Sequence, residues 1–163
     1  MSAQGIVYRQ MRPGEESMVS GLMVRSFDEF IGAGYPRSGV RDFLAYVSTQ
    51  AIGERLRRQH TILVALDGAR IVGAVDIDDY RHIDLLFIEK AYHGKGIARE
   101  LVQRCIELAL EARPSLKELT ADTSDFGQRA YESMGFEPAG PQMVEHGRHF
   151  QRMRLKLKKY GRR

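Results

Sequence analysis

The residues best suited to chemistry lie in one short turn, Gly94-Lys95-Gly96, between an apolar run and an amphipathic stretch. The segment HIDLLFIEKAYHGKGIAREL (82–101) reads as strand, polar turn and helix start. Glycine has no Cβ, so an anion can approach the backbone there. The first N–H groups of a helix have no intrahelical partner, and the macrodipole adds partial positive charge at the same end. Lys95 adds a formal charge to this anion site, which suits a phosphorylated ligand. Two other phosphate loops are excluded by spacing. A P-loop needs Gly-x-x-x-x-Gly-Lys-Ser/Thr, which occurs nowhere in the chain, and a Rossmann fingerprint needs a third glycine where Arg99 stands.

Alternation along 82–88 is expected to put His82, Asp84, Leu86 and Ile88 on one strand face and Ile83, Leu85 and Phe87 on the other. Two titratable side chains then share the face that includes Leu86. An imidazole, ordinarily near pKa 6.5, suits proton transfer at neutral pH. Cys105 falls in the apolar stripe of the helix that follows and reads as core, not nucleophile. His60, His146 and His149 show no metal-ligand spacing, and no metal site is expected.

The elements that must position these groups follow from periodicity. A first strand is expected over 5–11, then a turn at Pro13-Gly14 and a helix carrying Val19, Leu22, Met23, Phe27 and Phe30 at helical spacing. The Gly- and Pro-rich stretch 31–39 reads as a loop, and Phe43, Leu44, Val47, Ile52 and Leu56 suggest one or two short helices. Residues 61–78 read as a hairpin turning on Asp67-Gly68, continued by 82–88. A long helix ends at Pro114. A strand over 116–121, a short helix over 126–134 stopped by Gly135, a strand from Phe136 and a last strand over 149–157 complete the chain. The expected class is α/β (α+β), a mixed, mostly antiparallel sheet of six to seven strands flanked by helices. The helix between strands 82–88 and 116–121 makes that pair parallel, and parallel neighbours that diverge leave a cleft.

His93-Gly94-Lys95-Gly96-Ile97-Ala98 resembles the Gln/Arg-x-x-Gly-x-Gly/Ala acyl-CoA loop of the GNAT superfamily of N-acyltransferases. Leu85-Leu86-Phe87-Ile88 resembles its fourth strand. Ser124 to Phe136 (SDFGQRAYESMGF) is similar to its later motif, a helix that carries a tyrosine and ends in Gly-Phe. The two motifs come in the family's order, and the resemblance spans nearly the whole chain. It departs at His93, where Gln or Arg is usual, and at Ser124, where Asn is common. The resemblance implies an enzyme that transfers an acetyl group from acetyl-CoA to a primary amine. Leu86, Phe87 and Ile88 would offer backbone groups to the pantetheine arm. The N–H groups from His93 through Gly94, Lys95, Gly96 and Ile97 to Ala98 would meet the pyrophosphate. Tyr131 would protonate the leaving thiolate, and His82, Asp84 or both would serve as base, Asp84 acting itself, orienting His82 or binding a cationic substrate. Ser124 would cap the following helix or touch the coenzyme. The family supplies acceptor groups from its first helices and C-terminal hairpin, here Phe27–Phe43 and Met143–Phe150. There Phe30, Tyr35 and Phe43 could wall the site, and Asp28, Glu29 and Asp42 could attract an amine.

Bulk properties narrow the alternatives. The 163 residues suit one domain spanning 1–163, with its core over about 5–158 and a basic tail at 159–163. A 43% hydrophobic content fits a folded chain. One cysteine allows no internal disulfide, no signal-peptide-like core opens the chain, and no run approaches the roughly 18 apolar residues of a membrane span. A cytoplasmic protein is expected. The net charge of +4 owes much to Lys156, Lys158, Lys159, Arg162 and Arg163, which read as a solvated terminus rather than a nucleic-acid contact, since no nucleic-acid motif accompanies them. The expected partner is an amine on a small molecule, peptide or protein, with no membrane and no nucleic acid; a homodimer is compatible. The competing function is a catalytically silent CoA-binding sensor.

Overall fold

The computed structural model describes residues 5–145 and 148–158. The chain runs β1 (Ile6–Gln10), α1 (Glu16–Phe30), α2 (Arg37–Tyr46), α3 (Thr49–Leu56), β2 (His60–Asp67), β3 (Arg70–Asp78), β4 (His82–Ile88), α4 (Ile97–Ala112), β5 (Glu118–Thr123), α5 (Asp125–Ser133), β6 (Glu137–Pro138), β7 (Met143–Glu145) and β8 (Arg148–Lys156). The sheet order is β1-β2-β3-β4-β5-β8-β6, with β7 paired to β8. Among the described residues every strand pairing is antiparallel except β4 with β5. The mixed, mostly antiparallel class is as expected, but the sheet has eight strands rather than six to seven. The extra one, β7, is too short to show alternation in the sequence. Residues 159–163 and His146 lie outside the described residues. No helix among the described residues is long and apolar enough to cross a membrane.

Strands β2 and β3 are covered on both faces, so they read as near-continuous apolar runs. One face carries Leu63, Ala65, Val75 and Ile77 into a core with Ile97, Leu101, Cys105 and Ala109 of α4. The other carries Ile62, Val64 and Ala74 into a core with Leu22, Met23, Phe27 and Ile52 of α1 and α3. The apolar spacing in α1 and α4 places these residues on one helix face each, which is why both helices lie flat on the sheet. The loop expected over 31–39 is interrupted by a 3₁₀ turn at Gly32–Gly34, and α2 begins at Arg37 behind Pro36, whose φ of −66° suits a helix entry.

The β3–β4 turn has Asp79 and Tyr80 at φ 53° and 55°, and Arg81 N–H donates to the Asp78 carbonyl at 3.1 Å. Two consecutive positive φ values are the mark of a type I′ hairpin turn. Arg113 holds this turn by donating to the carbonyl and the carboxylate of Asp79, at 2.9 and 2.6 Å.

Strand β4 departs from simple alternation. Asp76 pairs with Leu85 but Ile77 pairs with Ile83, so Asp84 is an extra residue, a β-bulge. The bulge reverses the face assignment beyond it. Ile83, Leu86 and Ile88 pack with the α4 core, and Leu85 and Phe87 with the α1 core. The expectation that His82, Asp84, Leu86 and Ile88 share a face is therefore corrected: the inserted residue changes the parity of the pleat. Pairing with β5 is confined to His82↔Thr120 and Ile83↔Ala121. Past the bulge the two strands separate, and the β4 edge over 84–88 opens onto a cleft.

Candidate active site

The cleft holds a cavity of about 550 Å³. Its lining includes Asp84 to Ile88 of β4, the turn through His93, Gly94 and Gly96, Ile97 and Ala98 of α4, and Asp122, Ser124 and Tyr131 across the gap. Gly94 and Gly96 sit at φ 75° and 82°, and a Cβ built on either would meet nothing within 4 Å. Their freedom is used for backbone shape, and the space beside them stays open. Gly96 is the N-cap of α4, and the first helical bond runs from Glu100 N–H to its carbonyl at 3.0 Å. The N–H groups of Ile97, Ala98 and Arg99 therefore have no helical partner and carry the positive end of the dipole. Lys95 lies with its Nζ 5.2 Å from the Tyr92 ring centroid. His93 is differently employed: its backbone N–H donates to the Lys90 carbonyl at 3.1 Å, its Nε2 lies 2.8 Å from the Ile88 carbonyl, and its ring stacks on Phe30. This cradle fits a pyrophosphate at the N–H groups of the first turn. If this turn holds the phosphates of the acetyl-CoA that the resemblance implies, Gly96→Asp is expected to weaken coenzyme binding about tenfold or more, because it sets a like charge beside them at a backbone conformation side chains resist. Calorimetry on the folded variant checks this; unchanged affinity would remove the phosphates from this turn.

Tyr131, on α5, lines the inner cavity and is 4% exposed, with its ring edge-on to Phe136 at 5.1 Å. Burial, reinforced by the nearby Cys105, Asp122 and Asp84, pushes its hydroxyl far above the ordinary tyrosine value, so it stays protonated. Asp122 faces Tyr131's cavity from β5. Behind it, His82 Nε2 lies 3.1 Å from the Asp122 carboxylate and His82 Nδ1 lies 2.7 Å from Thr120 Oγ1. Arg152 donates to the other carboxylate oxygen. Burial alone would push the Asp122 carboxyl up, but the hydrogen bonds from His82 and Arg152 outweigh it and hold the group below the usual range. The structure thus brings His82, Asp122 and Tyr131 together, with Asp122 as the cavity-facing member and His82 behind it.

Asp84 also lines the cavity, and its carboxylate accepts from Tyr46 and, at 2.7 Å, from Arg55. Burial, then Asp84 beside it, pushes the Tyr46 hydroxyl up to about 12. Ser124 occupies the N-cap of α5, yet its side chain makes no cap hydrogen bond, so the capping expectation is corrected; the hydroxyl stands at the cleft wall.

Sequence reasoning missed Asp122, Arg55, Tyr46 and Arg152. It ended the fifth strand at Ala121, whereas pairing of Asp122 with Arg152 and Thr123 with Gln151 extends β5 by two residues. The available signal was positional: ligands gather at the carboxyl ends of parallel strands, where Asp122 stands. Arg55, 6% exposed, donates to the fully buried Asp76 and to Asp84, and His60 Nδ1 lies 2.8 Å from the second Asp76 oxygen. Two donor groups, His60–Asp76–Asp84 and His82–Asp84–Asp122, have their ligating atoms within 4.8 Å of one another. Guanidinium groups of Arg55 and Arg152 supply positive charge to both.

The hydrogen bond from His60 to the Asp76 carboxylate raises the pKa of His60 above its ordinary 6.5 against the opposing effect of burial. A folded-state pKa above the unfolded one gives stability that is full below about pH 6.5 and vanishes as pH rises through the raised value. His60→Gln should therefore cost more stability at pH 5.5 than at pH 9 in urea titrations. An equal loss at both would place the charge elsewhere.

A family model described as an acetyltransferase (GNAT) domain matches residues 32–157. The N-acetyltransferase YafP of Escherichia coli is 25% identical over 140 residues, covering 86% of this chain and 87% of that protein. The crystal structure of a GCN5-related N-acetyltransferase from Rhodopseudomonas palustris superposes with TM-score 0.81 at 20% identity, covering 96% of this chain and 99% of that one. PaiA N-acetyltransferase from Thermoplasma acidophilum, solved in complex with coenzyme A, superposes with TM-score 0.78 at 13% identity over 93% of this chain and 98% of its own. The two structural likenesses carry the fold.

Proposed function

Because the chain belongs to the GNAT acetyltransferase family, we propose that it transfers an acetyl group directly from acetyl-CoA to a primary amine in the cleft between β4 and β5. The observation that carries this reading is the convergence on one cavity of a phosphate cradle, an unpaired strand edge, a protonated tyrosine and a carboxylate backed by an imidazole. The β4 edge over Leu86, Phe87 and Ile88 offers N–H and C=O groups to the amides of the pantetheine arm, as a neighbouring strand would. The same edge can donate to the thioester oxygen as negative charge develops there.

The amine nitrogen attacks the thioester carbon, a C–N bond forms and the C–S bond breaks. The nitrogen becomes far more acidic as it bonds to carbon, so a carboxylate of depressed pKa can take its proton. Asp122 is the cavity-facing group for that step, directly or through a water, with His82 and Arg152 tuning it. The departing thiolate takes the Tyr131 proton. The products are an N-substituted acetamide and CoA thiol, and the proton lost by nitrogen balances the one gained by sulfur.

Thiol release and product mass, followed with acetyl-CoA and a panel of amines, test the reading; coenzyme binding without release on any amine would point instead to a silent sensor. His82→Gln and Asp122→Asn should each lower kcat/KM by about 10²-fold, and the double variant should fall little further, since one relay is removed either way. Fully additive losses would separate the two residues.

A further inference from the structure

We propose that the acceptor is a monoamine carried on an aromatic or compact apolar body, an arylalkylamine, seated on the α1–α2 side of the cavity; this rests on the acetyl-transfer reading above. The wall there is a continuous set of rings. Phe27 and Phe43 stack with centroids 4.2 Å apart and planes 13° from parallel. Tyr35 meets Phe27 edge-on at 5.1 Å, and Phe87 meets Phe43 edge-on at 6.0 Å. All four residues line the cavity. A ring or short apolar body gains area and edge-to-face contacts on such a wall, and a hydroxyl-rich body would leave its polar groups unpaired.

Charge defines the rest of the acceptor. Arg99 is the only arginine or lysine among the described residues lining the cavity, and it belongs to α4 on the coenzyme side, donating to the Ser133 carbonyl at 3.0 Å. Among the described residues, a substrate carboxylate would find no arginine or lysine lining the aromatic side. Asp84 and Asp122 are the carboxylates among the described residues lining the cavity, and each already accepts from a guanidinium, of Arg55 and of Arg152 respectively. An acceptor that brings a single amino group meets these two carboxylates without stranding a further charge. A polyamine would bring further charges with no other carboxylate to receive them among the described residues lining the cavity.

The test compares acceptors of matched size on the full chain with acetyl-CoA. 2-Phenylethylamine and phenylalanine differ only by a carboxylate, so kcat/KM for the amine should exceed that for the amino acid by about 100-fold or more, as expected when a charge is buried unpaired. Spermidine, an aminoglycoside and a lysine-containing peptide should also fall well below 2-phenylethylamine. Tyr35→Ala should raise KM for 2-phenylethylamine about tenfold with KM for acetyl-CoA unchanged. Phe43→Leu should act in the same direction and serves if the first variant fails to fold. Faster turnover of spermidine, the peptide or phenylalanine would overturn the acceptor class and leave acetyl transfer standing. Absence of thiol release with every amine, despite bound coenzyme, would overturn both.

Discussion

Tyr131→Phe should lower kcat by about 10²–10⁴-fold, the usual worth of general acid–base help, and leave coenzyme affinity nearly untouched. The reason lies in what the substitution removes. The ring stays edge-on to Phe136 in the α4-side core, so packing is preserved. Only the hydroxyl goes, and with it the proton that the proposed transfer gives to the thiolate. Burial holds that hydroxyl well above the ordinary tyrosine pKa of about 10, so the wild-type enzyme keeps its acid throughout the neutral range, and no loss of rate between pH 7 and 9 should trace to Tyr131. Steady-state kinetics beside calorimetry for CoA separates the two quantities. Wild-type turnover in a stable phenylalanine variant would reduce Tyr131 to a packing residue.

Arg55→Met should cost about 3–5 kcal/mol of folding stability, the range for removing one partner of a buried ion pair. The methionine keeps the unbranched stem but leaves Asp76, fully buried, without its guanidinium, and takes one donor from Asp84. His60 is then the partner that remains to Asp76 among the described residues. Its imidazolium form supplies charge below about pH 6.5 and loses it as pH rises through the raised pKa. The deficit of the variant should therefore be smaller near pH 6 than at pH 9. Adding Asp76→Asn removes the stranded charge and should recover part of the loss, a coupling that a double-mutant cycle in urea measures. A loss that ignores both pH and the second substitution would mean that the guanidinium serves packing rather than charge.

Much of this architecture can be read directly from residue patterns. The apolar periodicity of α1 and α4, the Asp67-Gly68 hairpin and the stop at Pro114 are local signals, each set by side chains and backbone preferences within a few residues. The Gly94-Lys95-Gly96 turn is local as well, since glycine is needed wherever φ is positive, and both glycines have it. The order of elements then confines β4 and β5 to a parallel pair, and so predicts a cleft.

What the residue order could not supply is parity and partnership. A single inserted residue at Asp84 flips every side chain beyond it, and only pairing with β3 reveals the insertion. Asp122 became cavity-facing because β8 extends β5 past Ala121, and β8 is distant in the chain. Arg55 reached Asp76 and Asp84 because α3 packs at the end of the sheet, and Phe27, Tyr35, Phe43 and Phe87 became one wall because three elements and a loop meet there. The sequence by itself determined the class of fold, the glycine turn that opens α4 and the tyrosine at the cleft. The tertiary structure decided which carboxylates face the cavity and which rings wall it, because those depend on contacts between segments far apart in the chain, where no local periodicity records the neighbour.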